Sequence, residues 1–545
     1  MKRLLFFIVS VSLLLSCTKK EAPINFKKHD ETRLLEKQQE HEKSRMKFKL
    51  FQSKVLDMNT VFKPFENDLA YFSEADYTAL KPLIIEQDIL SIQKSVDQGK
   101  LTYEKLTLFY LYRIRKFESD STKSLNAIIA LNPNVVKEAK KRDKNRKKGN
   151  TFSIYGMPIL LKDNINTNGM PTTAGALALQ ENKNTEDAFI VKRLKENGAL
   201  ILGKVNLSEW AYFFCAGCPL GYSAIGGQSL NPYGKGVFET GGSSASSATA
   251  VAANYAVAAV GTETAGSITS PSSQNSVVGL KPTVGLLSRS GIVPISSTLD
   301  TPGPMTKNII DNMILLGAMT GYDANDKKSY KVDGVPNADF TESIIGKRFG
   351  VFKSLLQDSV YNANVEKIKE AGGDMVELTP DQIGLPGFLT LLNIDMKHDL
   401  PEYLKNHTDK NVTITSVQDV INFNEKDSLI RAPYGQQLFE GIVADTTTLE
   451  QLQTIKKTLM DNARTYFKPL DSENLDVILS INNYHAGYSA VAEYPNLTVP
   501  MGYKKSGEPI SLTFIGMPKK EAELYILGGA FEKLTKHRKL PANYE

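Results

Sequence analysis

The chain has 545 residues and a net charge of +5, with 23% charged and 41% hydrophobic residues. That length is ample for a large buried core. The charge falls to +3 once Lys2 and Arg3 leave with residues 1–16, which is too mild to imply a nucleic-acid partner.

Met1 to Cys17 reads MKRLLFFIVSVSLLLSC: a basic start, twelve largely apolar residues from Leu4 to Leu15, then Ser16 and Cys17. A membrane-crossing helix needs about 20 apolar residues, so residues 1–16 read as a signal peptide. The ending Leu14, Leu15, Ser16, Cys17 resembles a bacterial lipobox, which makes Cys17 the lipidated first residue of the mature chain. The expected location is therefore the bacterial cell envelope, with the chain held to the membrane through Cys17. Residues 17–66 are expected to form a charged tether, because KKHDETRLLEKQQEHEKSRMKFK mixes charges and has few large apolar residues before Phe48. Such a tether is solvated, and either helical or disordered.

Residues 67–545 alternate helices with short apolar strands. Thr102 caps a helix carrying Leu106, Phe109, Leu111 and Ile114 at helical spacing up to Phe117. Thr185 is expected to cap the next helix, with Glu186 and Asp187 in its first turn; Gly198 closes it and a strand over Ala199 to Leu202 follows. Further strands are predicted at 348–352, 475–479, 497–499 and 511–515, with helices at 363–370 and 521–534. The pattern predicts a single large α/β domain built on a mixed sheet with helices on both faces. The polar, helix-like stretch 387–470 reads as an inserted cap. Cys215 and Cys218 sit in FFCAGCPLG. Zinc would need further ligands, and redox chemistry a thioredoxin-like unit, so a local disulfide or two free thiols remain.

The chain lacks a Gly-x-Ser-x-Gly elbow, a Walker loop and a His-Glu-x-x-His motif, and it has six histidines, of which His29 and His41 fall in the tether. His485 is the best placed to line a site, although a lone histidine is more often a structural residue. Thr240 to Thr283 is more informative. After GGSSASS comes a small, apolar run from Ala248 to Val260, which no solvated linker needs. The run predicts a tight loop, a close-packed helix and a buried strand. A second turn, Gly261 to Ser267, can gather backbone amides around one point.

GMPILLKDNINTNGMPTTAGALAL, GALILGKVNLSEWA, GGSS, GTETAGSI, VVGLKPTVGLLSRSGIVPIS and DTPGPM occur in the order seen in the amidase signature family, and YPNLTVPMG continues the likeness. The resemblance spans about residues 80–545, and its motifs are closest to the peptide amidase-like branch. It implies a Ser-Ser-Lys triad that hydrolyses linear amides through an acyl-enzyme, with no cofactor and no metal. Lys162 matches the family lysine, Ser243 the bridging serine and Ser267 the nucleophile, with 24 positions between the serines. The family also implies a cis peptide bond between Gly242 and Ser243. Backbone amides of Thr264, Ala265 and Gly266, with that of Ser267, would form the oxyanion hole.

The chemistry also has a requirement of its own. A serine hydroxyl attacks an amide only when a base takes its proton. A lysine of ordinary pKa is neutral in about one molecule in 2,500 at pH 7, so burial must lower that pKa by about three units. Several residues depart from the commoner family pattern: Ala245 and Ser246 replace two glycines, Glu263 replaces an aspartate, Thr269 an arginine, and Ala265 stands where glycine or aspartate is common. Two other functions fit the same motifs. One is a non-catalytic binding protein on a degenerate amidase fold; the other is an amidotransferase A-type subunit, which the signal peptide opposes because charged tRNA is cytosolic.

Overall fold

Short apolar runs bounded by turn residues become strands when both faces of a sheet are covered, and the core of this protein is assembled from them. The structure, a computed structural model, describes residues 25–149, 151–332 and 343–545. Eleven strands form one mixed sheet. In spatial order they are Ile128–Leu131, Leu200–Val205, Pro158–Lys162, Ala258–Glu263, Thr301–Thr306, Val278–Lys281, Asn496–Tyr503, Pro509–Ile515, Val477–Ile481, Arg348–Phe352 and Asp374–Leu378. Pro158–Lys162 runs parallel to both of its neighbours, whereas Ala258–Glu263 meets Thr301–Thr306 antiparallel. The predicted mixed sheet in a single α/β domain is what the structure contains.

Most elements fall close to their predicted positions. Thr102 accepts the Lys105 amide and starts the helix Tyr103–Glu118. The strand predicted at 475–479 lies two residues later, at Val477–Ile481. Thr185 does not cap the helix after it. That helix is Phe189–Glu196, its N-cap is Ala188 with no side-chain cap, and Asp187 instead accepts the Asn168 amide and pairs with Lys195 at 2.8 Å.

The segment read as a solvated tether is packed against the domain from residue 25 onward. Met46, Phe48, Leu50, Phe51, Phe62 and Phe65 are buried, Phe48 to 2% of its surface. Its backbone and side chains bond to the domain: Gln228 N donates to Phe51 O at 2.8 Å, Ser53 Oγ to Ile225 O at 2.6 Å, and Gln38 Nε2 to Gly236 O at 3.0 Å. A few large apolar residues at irregular spacing are enough to dock a charged segment, since its Lys and Glu side chains can keep their heads in water. The signal peptide and Cys17 lie outside the described residues.

Residues 387–470 form six helices, Phe388–His407, Val417–Glu425, Ser428–Arg431, Gln437–Ala444, Leu449–Tyr466 and Pro469–Ser472. They bury Leu391, Leu400, Phe439, Leu459 and Phe467 in a second apolar cluster, which also takes in Trp210, Phe213 and Phe214 and packs against Ala265. This cluster brings the cap next to the turn that precedes Ser267. Among the described residues no helix is long and apolar enough to cross a membrane.

Candidate active site

The site is made where parallel strands end. Pro158–Lys162 delivers Lys162 at its last residue, and the neighbouring Ala258–Glu263 delivers Thr262 and Glu263 at its end. Lys162 is fully buried, with 0% of its surface exposed. Its Nζ lies 2.8 Å from Ser243 Oγ, 2.8 Å from Thr262 Oγ1 and 3.2 Å from Thr262 O. Asn164 Nδ2 donates to the same Thr262 hydroxyl oxygen at 3.0 Å. Loss of solvation lowers the Lys162 pKa to about 7, against a smaller upward pull from Asp300 and Glu263. About half of the amines are therefore neutral at pH 7, and a neutral amine can accept the Ser243 proton.

Asp163 is not the ion partner of Lys162. It is buried 3.2 Å from Lys204 Nζ, and it accepts the amide and the hydroxyl of Thr173. Among the described residues no carboxylate pairs directly with Lys162, and the pull of Asp300 and Glu263 is outweighed by the loss of solvation.

Ser243 is also fully buried, and the Gly242–Ser243 peptide bond is cis, as the family likeness implies. Ser243 O accepts the Ser208 amide at 3.0 Å, and the Ser244 amide donates to Ser267 O at 3.1 Å. The two serine-bearing loops thus lie side by side. Ser244 Oγ donates to Thr262 O at 3.0 Å and receives the Thr262 amide at 3.2 Å, which ties the loop to Ala258–Glu263, the strand beside the lysine's. Gly261 belongs to that strand rather than to the following turn. It is glycine because a Cβ there would stand 2.8 Å from Ser244 Oγ.

Ser267 is half-buried at the end of the turn Thr264 to Gly266. Gly266 has φ +96°, a conformation that L side chains rarely adopt. Among the described residues the amides of Ala265, Gly266 and Ser267 have no protein acceptor. Three donors in one turn suit an oxygen that gains negative charge. Thr264 is fixed differently: its hydroxyl donates to Asp300 Oδ1 at 2.5 Å, and the other Asp300 oxygen takes the amides of Ile295 and Ser296 at 2.8 and 2.9 Å.

The departures from the commoner pattern have physical reasons. Glu263 Oε2 accepts the amides of Ile268 and Thr269 at 2.8 and 2.9 Å and lies 2.9 Å from the Thr269 hydroxyl. One carboxylate therefore braces the chain just past Ser267, with a threonine in place of an arginine. Ala245 and Ser246 begin the fully buried helix Ala245–Ala252, where Ser246 Oγ bonds Ser229 Oγ at 2.7 Å. Ala265 packs on the cap's apolar cluster.

His485 belongs to the packing. Its Nδ1 is 2.6 Å from Ser480 Oγ, its ring stacks on Phe352 at 4.2 Å, and burial lowers its pKa to about 4. Cys215 and Cys218 are joined in a disulfide, and among the described residues no group of three or more His, Cys, Asp or Glu could hold a metal ion. Sequence reasoning missed Thr262, Asn164 and Asp300. Thr262 and Asp300 lie within the quoted motifs GTETAGSI and DTPGPM, and Asn164 follows Lys162 by two positions, so the motifs held the signal without revealing which side chains point inward.

The family model for Amidase matches residues 105–480. A probable amidase of Arabidopsis thaliana is 35% identical over 478 residues, 84% of this chain and 92% of that relative. The crystal structure of an amidase family protein from Bacillus anthracis superimposes with a TM-score of 0.85 at 37% identity, over 90% of this chain and 99% of that one. The peptide amidase of Stenotrophomonas maltophilia gives a TM-score of 0.77 at 36% identity, over 84% and 98% of the two chains. The chain belongs to the amidase family and is a hydrolase acting on amide bonds.

Proposed function

We propose that this protein releases ammonia from peptide C-terminal carboxamides or amino-acid amides, with Ser267 as nucleophile, Ser243 as proton relay and Lys162 as base. The observation that carries the reading is Lys162 Nζ 2.8 Å from Ser243 Oγ in a site that lowers the amine's pKa to about 7. The Ser267 proton passes to Ser243 as Ser243 gives its own to Lys162. Ser267 Oγ bonds to the carbonyl carbon, and the turn Thr264 to Gly266, with the Ser267 amide, holds the oxyanion. Collapse of the tetrahedral species breaks the C–N bond, and the proton on Lys162 returns through Ser243 to the leaving amine. Water then repeats the sequence on the ester, giving the carboxylic acid and free Ser267.

The substrate class is supported by the likeness to the Stenotrophomonas maltophilia peptide amidase. Attachment to the bacterial envelope through a lipidated Cys17 is supported by the sequence of residues 1–17. Ammonia release from a panel of peptide carboxamides, aryl amides and short acyl amides tests the chemistry. The wild type should turn over the peptide carboxamides and Ser267→Ala none of the panel; equal activity in the two removes the mechanism. Recovery of the expressed wild type with membranes, lost in Cys17→Ser, tests the anchor. A wild type found wholly in the soluble fraction contradicts it.

A further inference from the structure

Beyond the triad and its turn, one polar side chain from a distant part of the chain reaches the same place. Asn483 follows the strand Val477–Ile481, and its Nδ2 lies 3.1 Å from where a Cβ on Gly266 would stand. A substituent at Gly266 would press on that carboxamide, so the side chain lies directly against the turn before Ser267.

The turn that carries Asn483 is rigid. Asn482 is buried at φ +47°, its Oδ1 takes the Ser511 amide at 2.9 Å, and its carbonyl takes the Thr513 hydroxyl at 2.6 Å. On the other side, the Ala486 amide donates to Asn483 O at 3.1 Å, and His485 is clamped between Ser480 and the Phe352 ring. Asn483 itself is exposed, and among the described residues its side chain has no hydrogen-bond partner. An unpaired carboxamide carried on a backbone held at a strand end, beside three unpaired amides, is placed as a hydrogen-bonding group toward a ligand.

We propose that the Asn483 carboxamide is a side-chain donor to the substrate's acyl oxygen, adding to the backbone amides of the oxyanion turn. This rests on the amide-hydrolase reading of Ser267. The donor strengthens as negative charge develops on that oxygen, so it acts on turnover more than on substrate binding.

The test measures kcat and KM on a peptide carboxamide, and inhibition by a peptidyl trifluoromethyl ketone, for the wild type, Asn483→Ala and Asn483→Asp. Thermal melting and fluorophosphonate labelling are followed in parallel. Loss of one such donor typically lowers kcat by about 100- to 1,000-fold. The expectation is a fall of at least about tenfold in Asn483→Ala with KM nearly unchanged, matched by weaker ketone inhibition, and a deeper fall in Asn483→Asp, whose carboxylate repels the oxyanion. A kcat within about twofold of wild type overturns the proposal, as does a loss confined to KM with inhibition unchanged. If Asn483→Ala melts early, the near-isosteric Asn483→Asp decides by the same criteria. Failure of the underlying reading is seen separately, as turnover or labelling that survives in Ser267→Ala.

Discussion

Acidification from pH 8 to pH 5 should switch the enzyme off through Lys162. With a pKa of about 7, the neutral fraction of Lys162 is about 0.9 at pH 8, 0.5 at pH 7 and 0.01 at pH 5, so kcat/KM should fall about 90-fold over the range. The sign follows from the role. The neutral amine is the active form, and activity rises with pH through about 7 and then levels. Initial rates of ammonia release at low substrate concentration, in overlapping buffers of constant ionic strength, give the profile. Asp399 has a pKa raised to about 6 by burial and also titrates in this window. The temperature dependence separates the two, because an amine's pKa falls steeply on warming and a carboxyl's hardly moves. A limb near 10, a flat profile from pH 5 to 8, or a limb insensitive to temperature would show that Lys162 is not the base.

Other expectations concern the groups around the triad. Lys162→Met should bring turnover close to background while far-UV circular dichroism stays native, since the base is lost and the apolar stem is kept. Glu263→Gln weakens the charge-assisted bonds that brace residues 268 and 269, and urea unfolding should show a loss of about 1–3 kcal/mol. Phe48→Ala tests the docked N-terminal segment: at 2% exposure it should cost about 3–5 kcal/mol in the same assay. A change within about 0.5 kcal/mol, as at an exposed tether position, would show that the segment does not dock.

Much of the site was legible because its residues lie in motifs of fixed order. Lys162 lies in the motif GMPILLKDNI, and Ser243 and Ser267 bracket a helix and strand too apolar for a linker. Which side chains surround the amine was not legible. Thr262 falls in the turn predicted from Gly261 to Ser267 and Asp300 in a motif with no role assigned to it, and only the parallel pairing of Pro158–Lys162 with Ala258–Glu263 turns Thr262 toward Lys162. Asn483 lies 216 positions beyond Ser267, and no local pattern reports a contact made through the sheet. The tether was misread for a related reason. Charge along residues 25–66 dominates the composition, while docking depends on a few aromatic residues without periodicity. Thr185 was misread as a cap because Asp187 is bound to Lys195 and Asn168, partners that sequence spacing alone does not specify.

The central claim is that Ser267 forms the covalent intermediate. Rapid acid quench during turnover of a slowly deacylating aryl ester, followed by peptide mass spectrometry, reads it directly. The acyl mass should appear on Ser267 in the wild type and be absent from Ser267→Ala. An acyl group found on another residue, or one undiminished in Ser267→Ala, would contradict it.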